Sequence, residues 1–248
     1  MHYMGRLGIL AAGLLMGIGG YSPSAEAQRW ENKRGEVDPS SMHVRAGRIK
    51  KQAPVRIRDL PSASPAERAR VALNGYALCR VSNDRPEFEG LIVAHPVPNL
   101  GAKAYKKFAE DNSAQGCLYD ADMAFTHELM AGSGFLALLR LSYLRAENVP
   151  ALHEVQYAAL ADITNHDGQY FVSTRSFAQC VVMAAPQKVA TLLFSRELGK
   201  SEADAMTEVT PHLGPCLPEG QQISMGRTAL FGWLAEAMYR SSKAQPAA

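Results

Sequence analysis

Apolar runs long enough to span a membrane are missing from this chain. The uncharged stretch near its start, residues 7–18 (LGILAAGLLMGI), has 12 residues, short of the roughly 20 that a spanning helix needs. No Cys stands close behind that stretch, the first being Cys79, which excludes a lipoprotein cut-and-acylate site. Catalytic signatures are also scarce. There is no CxxC pair, phosphate loop or dinucleotide glycine pattern. His127-Glu128 and His153-Glu154 each begin like a zinc-protease helix, but Ala131 and Tyr157 stand where its second histidine belongs. Gly132-Ser133-Gly134 lacks the spacing of a nucleophile elbow and lies inside a helical pattern. Cysteine is limited to four residues, too dispersed for a recognisable zinc motif.

What is present starts with a leader. Met1 to Arg6 carries positive charge, the 12-residue apolar run follows, and Gly19 to Pro23 breaks it before Ala25-Glu26-Ala27. That order of charge, apolar core and small-x-small site predicts a secretory signal peptide over 1–27, cut after Ala27. The expected location is the periplasm or the medium, with no transmembrane segment left in the mature chain.

Charge is unevenly distributed. Residues 28–64 hold nine Lys/Arg (Arg29, Lys33, Arg34, Arg45, Arg48, Lys50, Lys51, Arg56, Arg58) against Glu31, Glu36, Asp38 and Asp59, a net +5. Residues 65–248 hold 16 basic and 19 acidic residues, a net −3. With Pro39, Pro54 and Pro61 and few large apolar residues, the segment 28–64 cannot offset its ordering entropy by burial, so it reads as a basic, disordered or extended arm. Such an arm is either a solvated linker or an electrostatic tether to an anionic surface. Trp30 is its single aromatic residue, so it offers no interleaved stacking platform, and sequence-specific nucleic-acid binding is not expected.

The chain as a whole is 47% apolar, enough for a core, and past the arm the pattern repeats. Tyr76-Ala77-Leu78-Cys79 matches Phe177-Ala178-Gln179-Cys180, Pro86 matches Pro186, Cys117-Leu118 matches Cys216-Leu217, and Gly134-Phe135-Leu136-Ala137 matches Gly232-Trp233-Leu234-Ala235. The spacing predicts an all-α protein of two tandem, pseudo-symmetric units of about four helices each, over 65–145 and 174–241. A connector over 146–173 and a disordered tail over 242–248 complete the division. Ser64-Pro65-Ala66-Glu67 is a capping box with proline at the first helical position, opening a helix to about Val81; its counterpart runs from about Ser173 to Met183. Short helices follow at Pro86 and Pro186, then at 101–112 and 201–209. The longest run over 126–145 and 224–241, with Thr126 and Ser224 as equivalent N-caps. In the connector, a helix is expected at 151–162, a turn at 165–168 and a short strand at 169–172.

Four cysteines in an exported chain read as disulfides, with three pairings open. The repeat selects one: Cys79 with Cys117 and Cys180 with Cys216, each unit bringing its own bridge. The remaining polar candidates are bland. Asp120 and Asp122, near His127, suit a solvated loop entering a helix N-terminus better than a cation site. His95 and His212 sit beside prolines, in turns.

The aromatic-Ala-x-Cys helices and the closing Gly-Trp-Leu-Ala helix resemble a group of uncharacterised exported proteins of Gram-negative bacteria. The resemblance covers 74–143 and 175–241 and rests on Tyr76, Cys79, Phe177, Cys180, Gly232, Leu234 and Ala235. Unit one departs from it in its last helix, where Leu138 replaces Glu236. It implies the fold but no activity. The expectation is therefore an exported, non-enzymatic helical protein that binds an unknown protein or envelope component, without cofactor or metal, its arm over 28–64 a solvated linker or else a tether to an anionic surface. A small periplasmic hydrolase is the alternative.

Overall fold

Capping and proline chemistry divide the chain into helices. The computed structural model describes residues 63–111, 116–117, 122–217 and 225–245, and the backbone of 42–45. Helix α1 (Pro65–Asn83) opens on the capping box: Ser64 Oγ accepts from the Glu67 amide at 3.2 Å, and the Glu67 carboxylate accepts from the Ser64 amide at 2.9 Å. The carboxylate's pKa is lowered by those bonds to Ser64. Pro86 enforces a new axis in α2 (Arg85–Ala94), and α3 (Ala102–Glu110) turns Tyr105, Phe108 and Ala109 inward. Thr126 caps α4 (His127–Tyr143) by accepting from the Leu129 amide at 3.2 Å. Then the order recurs: α5 (His166–Ala184), α6 (Pro186–Phe194), α7 (Lys200–Val209) and α8 (Arg227–Lys243).

Helices α4 and α8 are central. Residues Met130 to Leu139 and Leu230 to Tyr239 are buried all round, as core helices must be. They cross where glycine meets glycine: a Cβ on Gly132 would lie 2.7 Å from Gly232 Cα, and one on Gly232 would lie 2.9 Å from Gly132 Cα. Helix α1 packs on α4 and α5 on α8, and residues from α1 through α8 form one apolar cluster.

The protein is all-α, as its periodicity predicts, but several local expectations change. Gly232 faces Gly132, not the Gly134 that matches it by letter; a Cβ on Gly134 would strike the Phe88 ring. The caps set this register, because Thr126 and Gly226 start α4 and α8 100 residues apart. Gly226 is the N-cap of α8, and Ser224 lies outside the described residues. Gly199 is the N-cap of α7, one helical residue ahead of Ser201. The turn and strand expected at 165–172 are the first turns of α5, because the Asn165 side chain accepts from the Gly168 amide at 2.8 Å and starts the helix early.

The connector is extended, with short 3-10 turns at Ala146–Asn148 and Tyr157–Ala159 in place of a helix over 151–162. Between those turns its backbone takes partners from α5 and α8, Val155 from the Gln179 side chain and His153 from the Ser241 carbonyl. Inside the arm, Met42–Arg45 is a strand, β1, paired antiparallel with β2 (Asp122–Phe125), Met42 opposite Phe125. The other arm residues up to 62 and the leader 1–27 lie outside the described residues. Of the tail expected at 242–248, the first two residues complete α8.

Candidate functional site

Among the described residues, three arginines are buried: Arg70, Arg80 and Arg175. A guanidinium removed from water costs several kcal/mol unless it is paired, so each arginine shows where the interior is built around charge. Arg70 of α1 makes a bidentate pair with Glu202 of α7, at 3.0 and 2.8 Å, and lies over the Phe231 ring at 5.0 Å. Arg80 lies over Phe108 at 4.4 Å and donates to the Phe108 carbonyl at 2.6 Å.

Arg175 is the centre of a larger network. It shares the inward face of α5 with Phe171, Ala178 and Val182. Its Nε donates to Glu236 at 2.9 Å and its Nη1 to Glu128 at 2.8 Å. Trp233 Nε1 donates to the same Glu128 oxygen at 2.8 Å, and Arg240 Nε donates to the other Glu236 oxygen at 2.9 Å. Phe171 and Trp233 flank the Arg175 guanidinium at 4.9 and 5.9 Å. Two guanidiniums and two carboxylates from α4, α5 and α8 thus neutralise one another. Burial opposes the charge on Arg175, but Glu236 and Glu128 outweigh it and raise its pKa. Burial also holds the Tyr105 and Tyr157 hydroxyls above the usual phenol range, reinforced by Glu236. The network ties α4, α5 and α8 together through buried ion pairs.

The second feature is exposed. Lys103, Lys106 and Lys107 of α3, with Glu110 and Asp111, line a shallow depression of about 560 Å³. Strand β1 of the basic arm lies against α3. His127, the first residue of α4, is half-buried; burial, and then the charge of Lys106, depresses its imidazole pKa.

The expected candidates disperse. His127 feels Lys106, while its neighbour Glu128 turns inward to Arg175. Asp122 is in β2, and Asp120 lies outside the described residues. Ser133 is buried within α4, and His153 and Glu154 lie in the connector. His95 ends α2 and its carbonyl accepts from Tyr105; His212 closes a 3-10 turn. Among the described residues, no three of His, Cys, Asp and Glu gather as metal ligands. Sequence reasoning missed Arg175, Glu128 and Glu236 as a set. The available signal was an arginine on an otherwise apolar helical face, four residues after Phe171.

The disulfides are those the repeat predicts. Cys79–Cys117 ties α1 to the segment after α3, with Cα atoms 5.5 Å apart; Cys180–Cys216 ties α5 to the turns after α7, at 5.6 Å. They are compatible with an oxidising, extracellular compartment. Each closes a loop of 38 or 36 residues, worth roughly 4 kcal/mol in chain entropy. Reduction is therefore expected to lower the thermal midpoint strongly. An unchanged midpoint in excess reductant, with four thiols titrated, would contradict this.

No protein-family model, curated protein or solved structure matches this chain.

Proposed function

We propose that this chain is an exported, non-enzymatic protein that holds an anionic component of the cell envelope through a basic face. The observation that carries the reading is the meeting of two basic elements. Strand β1, from the arm whose net charge is +5, lies against α3, whose Lys103, Lys106 and Lys107 line the surface depression. The bridged helical body is a rigid support for that face, and the disulfides and leader-like start agree with work outside the cytoplasm. Ligand recognition would be electrostatic, by phosphate or carboxylate charge, since exposed lysines are point charges without fixed geometry.

The test is co-sedimentation of the mature protein with vesicles containing anionic phospholipid, and with neutral vesicles. Binding is expected for the anionic vesicles alone. It should weaken steeply with salt, because the screening length falls from about 10 Å at 0.1 M to about 3 Å at 1 M. Replacing Lys103, Lys106 and Lys107 by Gln is expected to weaken binding several-fold at an unchanged thermal midpoint. Equal binding to neutral vesicles, or no effect of either salt or the triple substitution, would reject the reading.

A further inference from the structure

The corner between α2 and α3 presents apolar side chains to water. Val93 is 77% exposed and Leu100 57%. Single exposed apolar residues are ordinary on a protein surface. These two share the corner 93–100, where Ala94, His95 and Asn99 are exposed as well. The corner is held in place. The Gly101 amide donates to the Val97 carbonyl at 3.1 Å, and Tyr105 Oη donates to the His95 carbonyl at 3.0 Å. The His95 side chain lies so close to Gly101 that a Cβ there would be 2.6 Å from His95 Cβ.

Leu100 also begins the exposed face of α3. Helical spacing puts it in line with Lys103 and Lys107, while Tyr105, Phe108 and Ala109 turn to the core. Lys106 reaches Glu110 at 3.9 Å; among the described residues, Lys103 and Lys107 pair with no carboxylate. Surface chemistry is therefore ordered along α3: apolar at Leu100, basic from Lys103 to Lys107, acidic at Glu110 and Asp111. Helix α7, which follows α6 as α3 follows α2, lacks this order. There Lys200 is paired with Asp204 at 2.7 Å, and Glu208 with Lys188 at 3.4 Å.

We propose that the α2–α3 corner enters an anionic lipid bilayer, with Leu100 and Val93 at the acyl boundary and Lys103, Lys106 and Lys107 on the headgroup phosphates. The inference rests on the basic face proposed above and names its ligand as a bilayer. A soluble polyanion would engage the lysines alone and leave Val93 and Leu100 in water, whereas an interfacial site needs both chemistries side by side. The dimensions agree. A helical rise of about 1.5 Å per residue sets Lys103 about 4.5 Å and Lys107 about 10 Å behind Leu100. The headgroup layer of one leaflet is about 5–8 Å thick. Helical side chains lean toward the N-terminus, here toward Leu100, so the long lysine stems reach that layer. Glu110 and Asp111, roughly 15 Å back by the same rise, stay in water.

The test uses the full mature chain, vesicles containing anionic phospholipid, and polyphosphate as a soluble polyanion. Leu100→Ser is expected to weaken vesicle binding several-fold, to leave polyphosphate binding unchanged and to keep the thermal midpoint. All four native cysteines are bridged, so Leu100→Cys offers a single thiol for an environment-sensitive dye. With anionic vesicles that dye is expected to brighten several-fold and to be quenched by lipids brominated on their acyl chains. The same dye at Ser201→Cys, an exposed position on α7, is expected to do neither. A dye at position 100 that stays as in water while the vesicles bind would overturn insertion and leave the basic face standing. Salt-sensitive binding to polyphosphate, with none to vesicles, would do the same. Binding to neither would end the reading of the basic face, and the insertion with it.

Discussion

Gly232→Leu is expected to destabilise the fold by more than about 3 kcal/mol, at or beyond the top of the usual range for overpacking. A glycine inside a helix ordinarily costs up to about 1 kcal/mol against alanine, so propensity alone would make the replacement favourable. The opposite sign follows from the neighbour. A Cβ at Gly232 would stand 2.9 Å from Gly132 Cα, and that atom is backbone in the other central helix, which cannot rotate away as a side chain can. Helices α4 and α8 would have to separate along their whole contact, loosening Leu139, Phe135 and Trp233 together. Gly90→Ala is the internal control. A Cβ at Gly90 meets nothing within 4 Å, and this substitution is expected to stabilise by roughly 0.5 kcal/mol. Urea denaturation of both variants measures the difference. A Gly232→Leu loss no larger than about 0.5 kcal/mol, the scale of a neutral surface change, would refute close approach at this crossing.

Glu236→Leu is expected to cost about 3–5 kcal/mol, the range for removing one partner of a buried ion pair. Glu236 accepts from Arg175 and from Arg240. Its loss leaves the fully buried Arg175 with Glu128 alone, at a site closed by Phe171 and Trp233. The double variant Arg175→Met, Glu236→Leu is expected to recover part of the loss, because it removes the stranded charge and restores apolar packing. A double variant as unstable as the sum of the two singles would mean that the groups do not interact, and that the network does not tie α5 to α8.

The helices were legible wherever the signal is local. Ser64 with Glu67, Thr126 with the Leu129 amide, and the prolines at 86 and 186 act within one turn of chain, and each starts a helix where its chemistry says. The pairing of Cys79 with Cys117 and Cys180 with Cys216 was legible for another reason: the matching letters around each cysteine selected one of the three pairings that four cysteines allow. The connector was misread because its helical composition is overruled from outside. Gln179 and the Ser241 carbonyl take the hydrogen bonds that Val155 and His153 would otherwise make within a helix. The early start of α5 was missed because Asn165-His166-Asp167-Gly168 is turn chemistry and capping chemistry at once, and only the burial of Phe171 and Arg175 decides between them.

The amino-acid order by itself determined the all-α class, most of the helix starts, the division of charge between arm and body, and the two bridges. Each depends on residues near in sequence or on a comparison of the chain with itself. Only the tertiary structure decided that Gly232 meets Gly132 and not Gly134, that Glu128 and Glu236 share Arg175, and that α3 with its lysines lies against strand β1. Those outcomes depend on the angle and depth at which helices far apart in sequence cross. Two residues apart on α4, Gly132 meets the backbone of Gly232 and Gly134 meets the Phe88 ring, and no local preference records which glycine takes which neighbour.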